Sequence, residues 1–164
     1  MPNWCDNSLS VSHKDPEMME RFAKAVEECK LFETFIPLST GEWDYGAACE
    51  EWGTKWDISE GNFDLEEDKL SGNGWFNTAW SPPIAAFNKL KELGFSIDAL
   101  YHECGMGFAG TWCDGEETYV DDYYDMFEDE DWRDGIDSTD LIDLLESQYE
   151  IWLESREEEE EDGE

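Results

Sequence analysis

The segment Trp52-Gly53-Thr54-Lys55-Trp56-Asp57 places a lone ammonium between two indoles. Trp52 and Trp56 could stack a nucleobase while Lys55 meets a phosphate, which would make a small-ligand pocket. The structural alternative is that Trp52, Trp56, Trp75 and Trp80 pack across neighbouring strands and Lys55 pairs with Asp57 or another acid. His102, Cys104 and Cys113, with Cys5 as a fourth, could offer one nitrogen and several sulfurs to a metal. Zinc sites are built on tight C-x-x-C or H-x-x-x-H pairs, however, and the sequence has neither, so no metal is assigned. An EF-hand loop centred on Gly135 would need a ligand where Trp132 stands and a Glu where Leu141 stands. There is no G-x-S-x-G or P-loop, and no G-x-G-x-x-G between a strand and a helix. A Ser-His or Cys-His pair would have to use His13 or His102, which nothing marks, and carboxylates are too numerous to single out a pair, so neither an enzyme nor a cofactor is expected.

The carboxylates carry the other signal. Against 44 Asp and Glu stand 10 Lys and Arg, a net charge of −34. Residues 1–113 hold 20 acids and 8 bases, or −12, and residues 114–164 hold 24 acids and 2 bases, or −22. In the last third Asp140, Asp143, Glu146, Glu150, Glu154 and Glu157 recur every three or four residues. On a helix this gives one carboxylate every ~5 Å, opposite an apolar stripe. Asp121, Asp122, Asp125, Glu128, Asp129, Glu130 and Asp131 precede them. Together the two sets approach the ~3.4 Å phosphate spacing of one DNA strand. A charge of about −2 to −8 is enough to keep a small domain soluble, so −34 carries a self-repulsion that solubility alone does not require. These acids are the candidate partner-binding surface. The same charge excludes nucleic-acid binding through a basic patch and attraction to an anionic membrane.

Several elements must position these groups. Asn3–Ser12 alternates as a half-buried strand, and Asp15-Pro16 opens a helix to about Lys30. An irregular stretch follows, with one helical turn near Ala47. Trp52–Ile58 reads as a second strand with 62–68 as its hairpin arm, and Trp75–Trp80 as a third after the turn cluster Ser71-Gly72-Asn73-Gly74. A second helix begins beyond Pro82-Pro83 and stops at Gly94, and strands at Phe95–Glu103 and Phe108–Cys113 follow. This order predicts an α+β fold: a ferredoxin-like split βαβ antiparallel sheet covered by two helices, with an extra strand. Residues 1–113 form that domain. Residues 114–164 form an acidic extension whose amphipathic helix, about 139–156, docks on it before an acidic tail frays.

Met1-Pro2-Asn3-Trp4-Cys5 with Asn7 and Leu9 resembles the opening of the YubB-type ferredoxin-like family of phage and conjugative-plasmid proteins. So do Trp52–Asp57, Phe76-Asn77-Thr78-Ala79-Trp80-Ser81-Pro82-Pro83 and Glu103-Cys104-Gly105-Met106-Gly107-Phe108-Ala109-Gly110. The resemblance covers most of 1–113 and implies the ferredoxin-like fold and a mobile-element origin. It brings no catalytic residues. With the acidic surface, it leads to the expectation of a non-catalytic inhibitor acting as a DNA mimic on a basic, nucleic-acid-binding host defence or restriction protein. The rival readings are a nucleotide-sequestering module at Trp52–Trp56 and an adaptor docking through the last helix. The start of the chain has neither a basic n-region nor an apolar h-region, and the five cysteines are odd in number and widely spaced. The expected compartment is therefore the host cytoplasm, with reduced thiols.

Overall fold

The computed structural model describes residues 3–163, so Met1 and Pro2 of the opening motif and Glu164 of the tail lie outside it. The fold is α+β. Strand β1 (Trp4–Ser12) leads to helix α1 (Pro16–Glu27), two short helices α2 (Leu31–Phe35) and α3 (Tyr45–Glu51), and the hairpin β2 (Gly61–Leu65) and β3 (Ser71–Ala79). Helix α4 (Ile84–Glu92), strands β4 (Ser96–Glu103), β5 (Phe108–Cys113) and β6 (Glu116–Val120), and helices α5 (Tyr123–Met126) and α6 (Thr139–Asp162) complete the chain. The strands form one antiparallel sheet in the order β2-β3-β1-β4-β5-β6. The first four are compatible with a ferredoxin-like arrangement, and β5 and β6 extend the sheet beyond β4.

The alternation in β1 sends Cys5, Asn7, Leu9 and Val11 to one face, where all four are buried. On that face Leu9 and Val11 pack with Ile97, Ala99 and Trp112 of neighbouring strands and with Met19, Phe22 and Val26 of α1 and Phe87 and Leu90 of α4. Asp15 caps α1, its carboxylate accepting from Glu17 N at 2.9 Å, with Pro16 in the first turn. The helix stops three residues before the expected end, because Cys29 turns left-handed (φ 58°) and Lys30 N closes back on Ala25 O. A second core lies on the other face, under β5 and β6. There Ala109 meets Tyr123, Phe127, Trp132, Ile136, Leu141 and Leu145 of the C-terminal segment.

Four further expectations change. Trp52–Ile58 is a loop, not a strand. Trp52 N closes α3 on Ala48 O, Gly53 (φ 82°) turns the chain, and the Asp57 carboxylate is drawn to α2. The edge strand is Gly61–Leu65 instead. The turn cluster 71–74 belongs to β3, because Phe63 lies so close to Gly72 and Gly74 that a Cβ at either would collide with it. A sixth strand falls inside the segment assigned to the extension: Asp114 and Gly115 (φ 47° and 104°) make a two-residue turn that returns Glu116–Val120 against β5. Finally, α6 stays helical to Asp162 instead of fraying near residue 156.

Candidate functional sites

Helix α6 starts at Ser138, whose hydroxyl accepts from Leu141 N at 3.2 Å. Leu141 and Leu145 on its inner face are fully buried, while Asp140, Asp143, Glu150, Glu154 and Glu157 on the outer face are exposed. From Asp140 to Glu157 the row spans about 26 Å. Everything from Leu153 to Gly163 is exposed, so the last turns project from the body as a rod of carboxylates. Asp140, at the other end, lines a shallow cleft of about 310 Å³ with Ser8, Ser10, Asn73 and Asp98.

The earlier acids are folded alongside. Phe127 packs edge-on to Trp132 and Tyr149 at 5.3 and 5.2 Å and meets Trp152 at 5.7 Å, which ties the 121–131 segment to the middle of α6. Asp121, Asp122, Asp125, Glu128, Asp129, Glu130 and Asp131 all remain exposed. Asp122 caps α5, and Asp129 accepts from Asp131 N at 2.9 Å.

Two members of the predicted surface have another task. The Glu146 carboxylate accepts from both Arg133 Nε and Arg133 Nη2, the latter at 2.8 Å. Hydrogen bonding from the guanidinium holds Glu146 below the usual carboxylate range, although desolvation pulls the other way. Arg133 also lies over the rings of Trp132 and Tyr149, so this pair braces the docking of α6. Glu128 pairs with Arg156 at 3.0 Å. Arg133 and Arg156 are the two bases of residues 114–164, and each sits on a carboxylate, so among the described residues of this segment no cation is left unpaired.

The tryptophan site is composed differently from its sequence reading. Trp52 is a core residue: it is 5% exposed, donates from Nε1 to Ile36 O at 2.7 Å and packs on Phe32. Asp57 does not pair with Lys55. Its carboxylate accepts from Phe32 N, Glu33 N and Ile58 N, while burial raises its proton affinity against those three donors. Lys55 Nζ instead stands 4.5 Å from the ring centre of Trp56 and 5.1 Å from that of Trp80. Trp4 approaches Trp56 at 6.4 Å, and Trp43 donates to Lys55 O at 2.9 Å. Trp75 stands apart, opposite Ser8 and Asn62 in the sheet. The sequence offers Trp80 only as a packing neighbour of Trp52 and Trp56, and does not offer Trp4 or Trp43 at all. Nothing in the spacing of Trp4 and Trp43 connects them to Lys55; β1–β3 pairing and the loop after α3 do.

Cys5 is buried, and burial pushes its thiol up to about 12. Cys104 and Cys113 are exposed, and His102 meets the Tyr123 hydroxyl at 2.9 Å. Among the described residues no three His, Cys, Asp or Glu side chains gather where a metal ion could be held. No helix there is long and apolar enough to cross a membrane.

No protein-family model matches this sequence, and neither a curated protein nor a solved structure is significantly similar to it.

Proposed function

We propose that the protein is a non-catalytic inhibitor whose acidic surface occupies the nucleic-acid-binding groove of a basic partner, in effect a DNA mimic. The observation that carries this reading is the exposed row on α6, Asp140, Asp143, Glu150, Glu154 and Glu157, which is interrupted at the Arg133-bound Glu146, is flanked by the 121–131 acids, and has both arginines of residues 114–164 paired. A basic groove releases counterions on meeting such a surface much as it does on meeting phosphates, so affinity falls steeply with salt. The mobile-element resemblance makes a host defence or restriction protein the expected partner.

The test is displacement of labelled DNA from a panel of restriction and CRISPR-type effectors at low and high salt. Displacement at low salt is expected, and it should be lost in a variant with Asp143→Asn, Glu150→Gln, Glu154→Gln and Glu157→Gln. Failure across the panel, or undiminished displacement by the variant, would rule the reading out. Glu146 stays unchanged in this design because it braces the helix.

A further inference from the structure

Three segments far apart in sequence meet at one corner of the sheet. Trp4 pairs with Ala79 in the β1–β3 ladder, and Trp80 N donates to Asn3 O at 2.8 Å. Ser81 Oγ donates to Gly53 O at 2.8 Å, and Ala86 N donates to Trp52 O at 3.1 Å. These bonds hold the loop 53–57 against the end of β3, and Lys55 comes to lie over both Trp56 and Trp80.

The corner is built against the interests of stability. Trp80 adopts a left-handed backbone (φ 68°), a conformation that is costly for a bulky residue, yet its indole stays 46% exposed. Trp56 is 37% exposed and Trp43 51%. Buried polar groups gather near the same end of the β1–β3 ladder. Asn7, fully buried, has Cys5 O, Phe76 O and Thr78 Oγ1 as acceptors 3.1–3.2 Å from its Nδ2, sharing its two N–H groups, but leaves its own Oδ1 without a partner, and Thr78 Oγ1 donates on to Ser81 O. A fold selecting only for packing would bury these indoles and fill this space with apolar groups.

Lys55 sets the chemistry. Its ammonium has no carboxylate within ion-pair distance among the described residues, in a protein of charge −34. The neighbouring cleft of about 320 Å³ holds Glu33, Glu42 and Asp57 and suits no anion, so the anion site is the Trp56–Trp80 side. We propose that Lys55, Trp56 and Trp80 form a binding platform for a planar aromatic anion of the nucleoside monophosphate class. The base stacks on an exposed indole and the phosphate accepts from Lys55 Nζ. Only a small anion suits the site, because each further phosphate meets the repulsion of the whole protein.

The experiment follows the indole N–H signals of the nine tryptophans by NMR in the full chain during titration with adenosine 5′-monophosphate. Saturable shifts of the Trp56 and Trp80 signals are expected, with adenosine alone binding about tenfold more weakly, the worth of one charge-assisted hydrogen bond. Lys55→Gln should bring the monophosphate to the affinity of adenosine and leave adenosine unchanged. Trp80→Gly suits the left-handed backbone, so it should keep the fold while abolishing binding of both. A single-stranded oligonucleotide should bind no more tightly than the mononucleotide. Neutralising Glu150, Glu154 and Glu157 should not weaken binding, which separates this site from the acidic surface. The proposal is overturned by the absence of saturable shifts at millimolar nucleotide, by shifts confined to other tryptophans, or by unchanged affinity in Lys55→Gln.

Discussion

Changing Glu150, Glu154 and Glu157 together to Gln removes three charges from the outer face of α6 without touching either arginine pair. It eliminates the like-charge neighbours Glu146–Glu150, Glu150–Glu154, Glu154–Glu157, Glu154–Glu158, Glu157–Glu160 and Glu157–Glu161. Each such pair costs an isolated helix about 0.2–0.5 kcal/mol. The first two involve Glu146 and Glu150, which belong to the docked part of α6, so they act on global stability and are worth about 0.4–1 kcal/mol together. For a domain of this size that corresponds to a rise in Tm of about 1–4 °C. The other four lie wholly beyond Leu153, where every side chain is exposed, so they act on fraying of the projecting rod. Gln matches Glu closely in helix propensity, so no loss offsets the gain. The assay is thermal unfolding followed by far-UV circular dichroism in low salt and again in about 1 M salt, where screening shortens to ~3 Å. A higher Tm and more helical signal are expected at low salt, and both differences should close at high salt. A fall in Tm, or a difference that persists at high salt, would show that these carboxylates support the fold.

Three further outcomes follow from the packing. Leu145→Ala, at a fully buried position in the second core, should destabilise the protein by about 2–5 kcal/mol in urea unfolding and expose Trp132 and Trp152 fluorescence to quenchers. At pH 8 a thiol reagent should modify the exposed Cys49 and Cys104 rapidly and Cys113 more slowly, because desolvation and the neighbouring Asp98, Asp114 and Glu116 raise the Cys113 thiol. Cys5, buried with its thiol pushed to about 12, should react only as fast as the chain unfolds. Burial lowers the proton affinity of His102 below its ordinary 6.5. The unfolded chain therefore binds that proton first, stability falls as pH drops below about 6.5, and His102→Gln should flatten that slope in acid titrations followed by unfolding.

The periodic elements were legible in the sequence because their signals are local. The alternation of Cys5, Asn7, Leu9 and Val11, the Asp15-Pro16 start and the Pro82-Pro83 entry to α4 each specify an element within a few residues. Together they were enough to predict the α+β sheet. The Asp114-Gly115 dipeptide was an equally local hairpin signal, but the acidic residues after it hid the edge strand it opens. The acid spacing on the last helix likewise put these carboxylates on the side opposite Leu141 and Leu145, though it did not show that Glu146 is engaged by Arg133.

What the sequence could not decide was which side chains act on one another across distance. Trp52–Ile58 has the composition of a strand, yet three backbone donors at α2 and Ile58 claim Asp57, and the loop this makes leaves Lys55 over Trp56 and Trp80 instead of on Asp57. Arg133 lies thirteen residues from Glu146, and only the fold of the segment around Phe127 and Trp132 removes that carboxylate from the exposed row. Charge, helical period and capping act over a few residues and are written in order along the chain. Ion pairs, cation–π contacts and the identity of an exposed indole depend on which segments compete for the same neighbours, and only the packed sheet and its two cores resolve that competition.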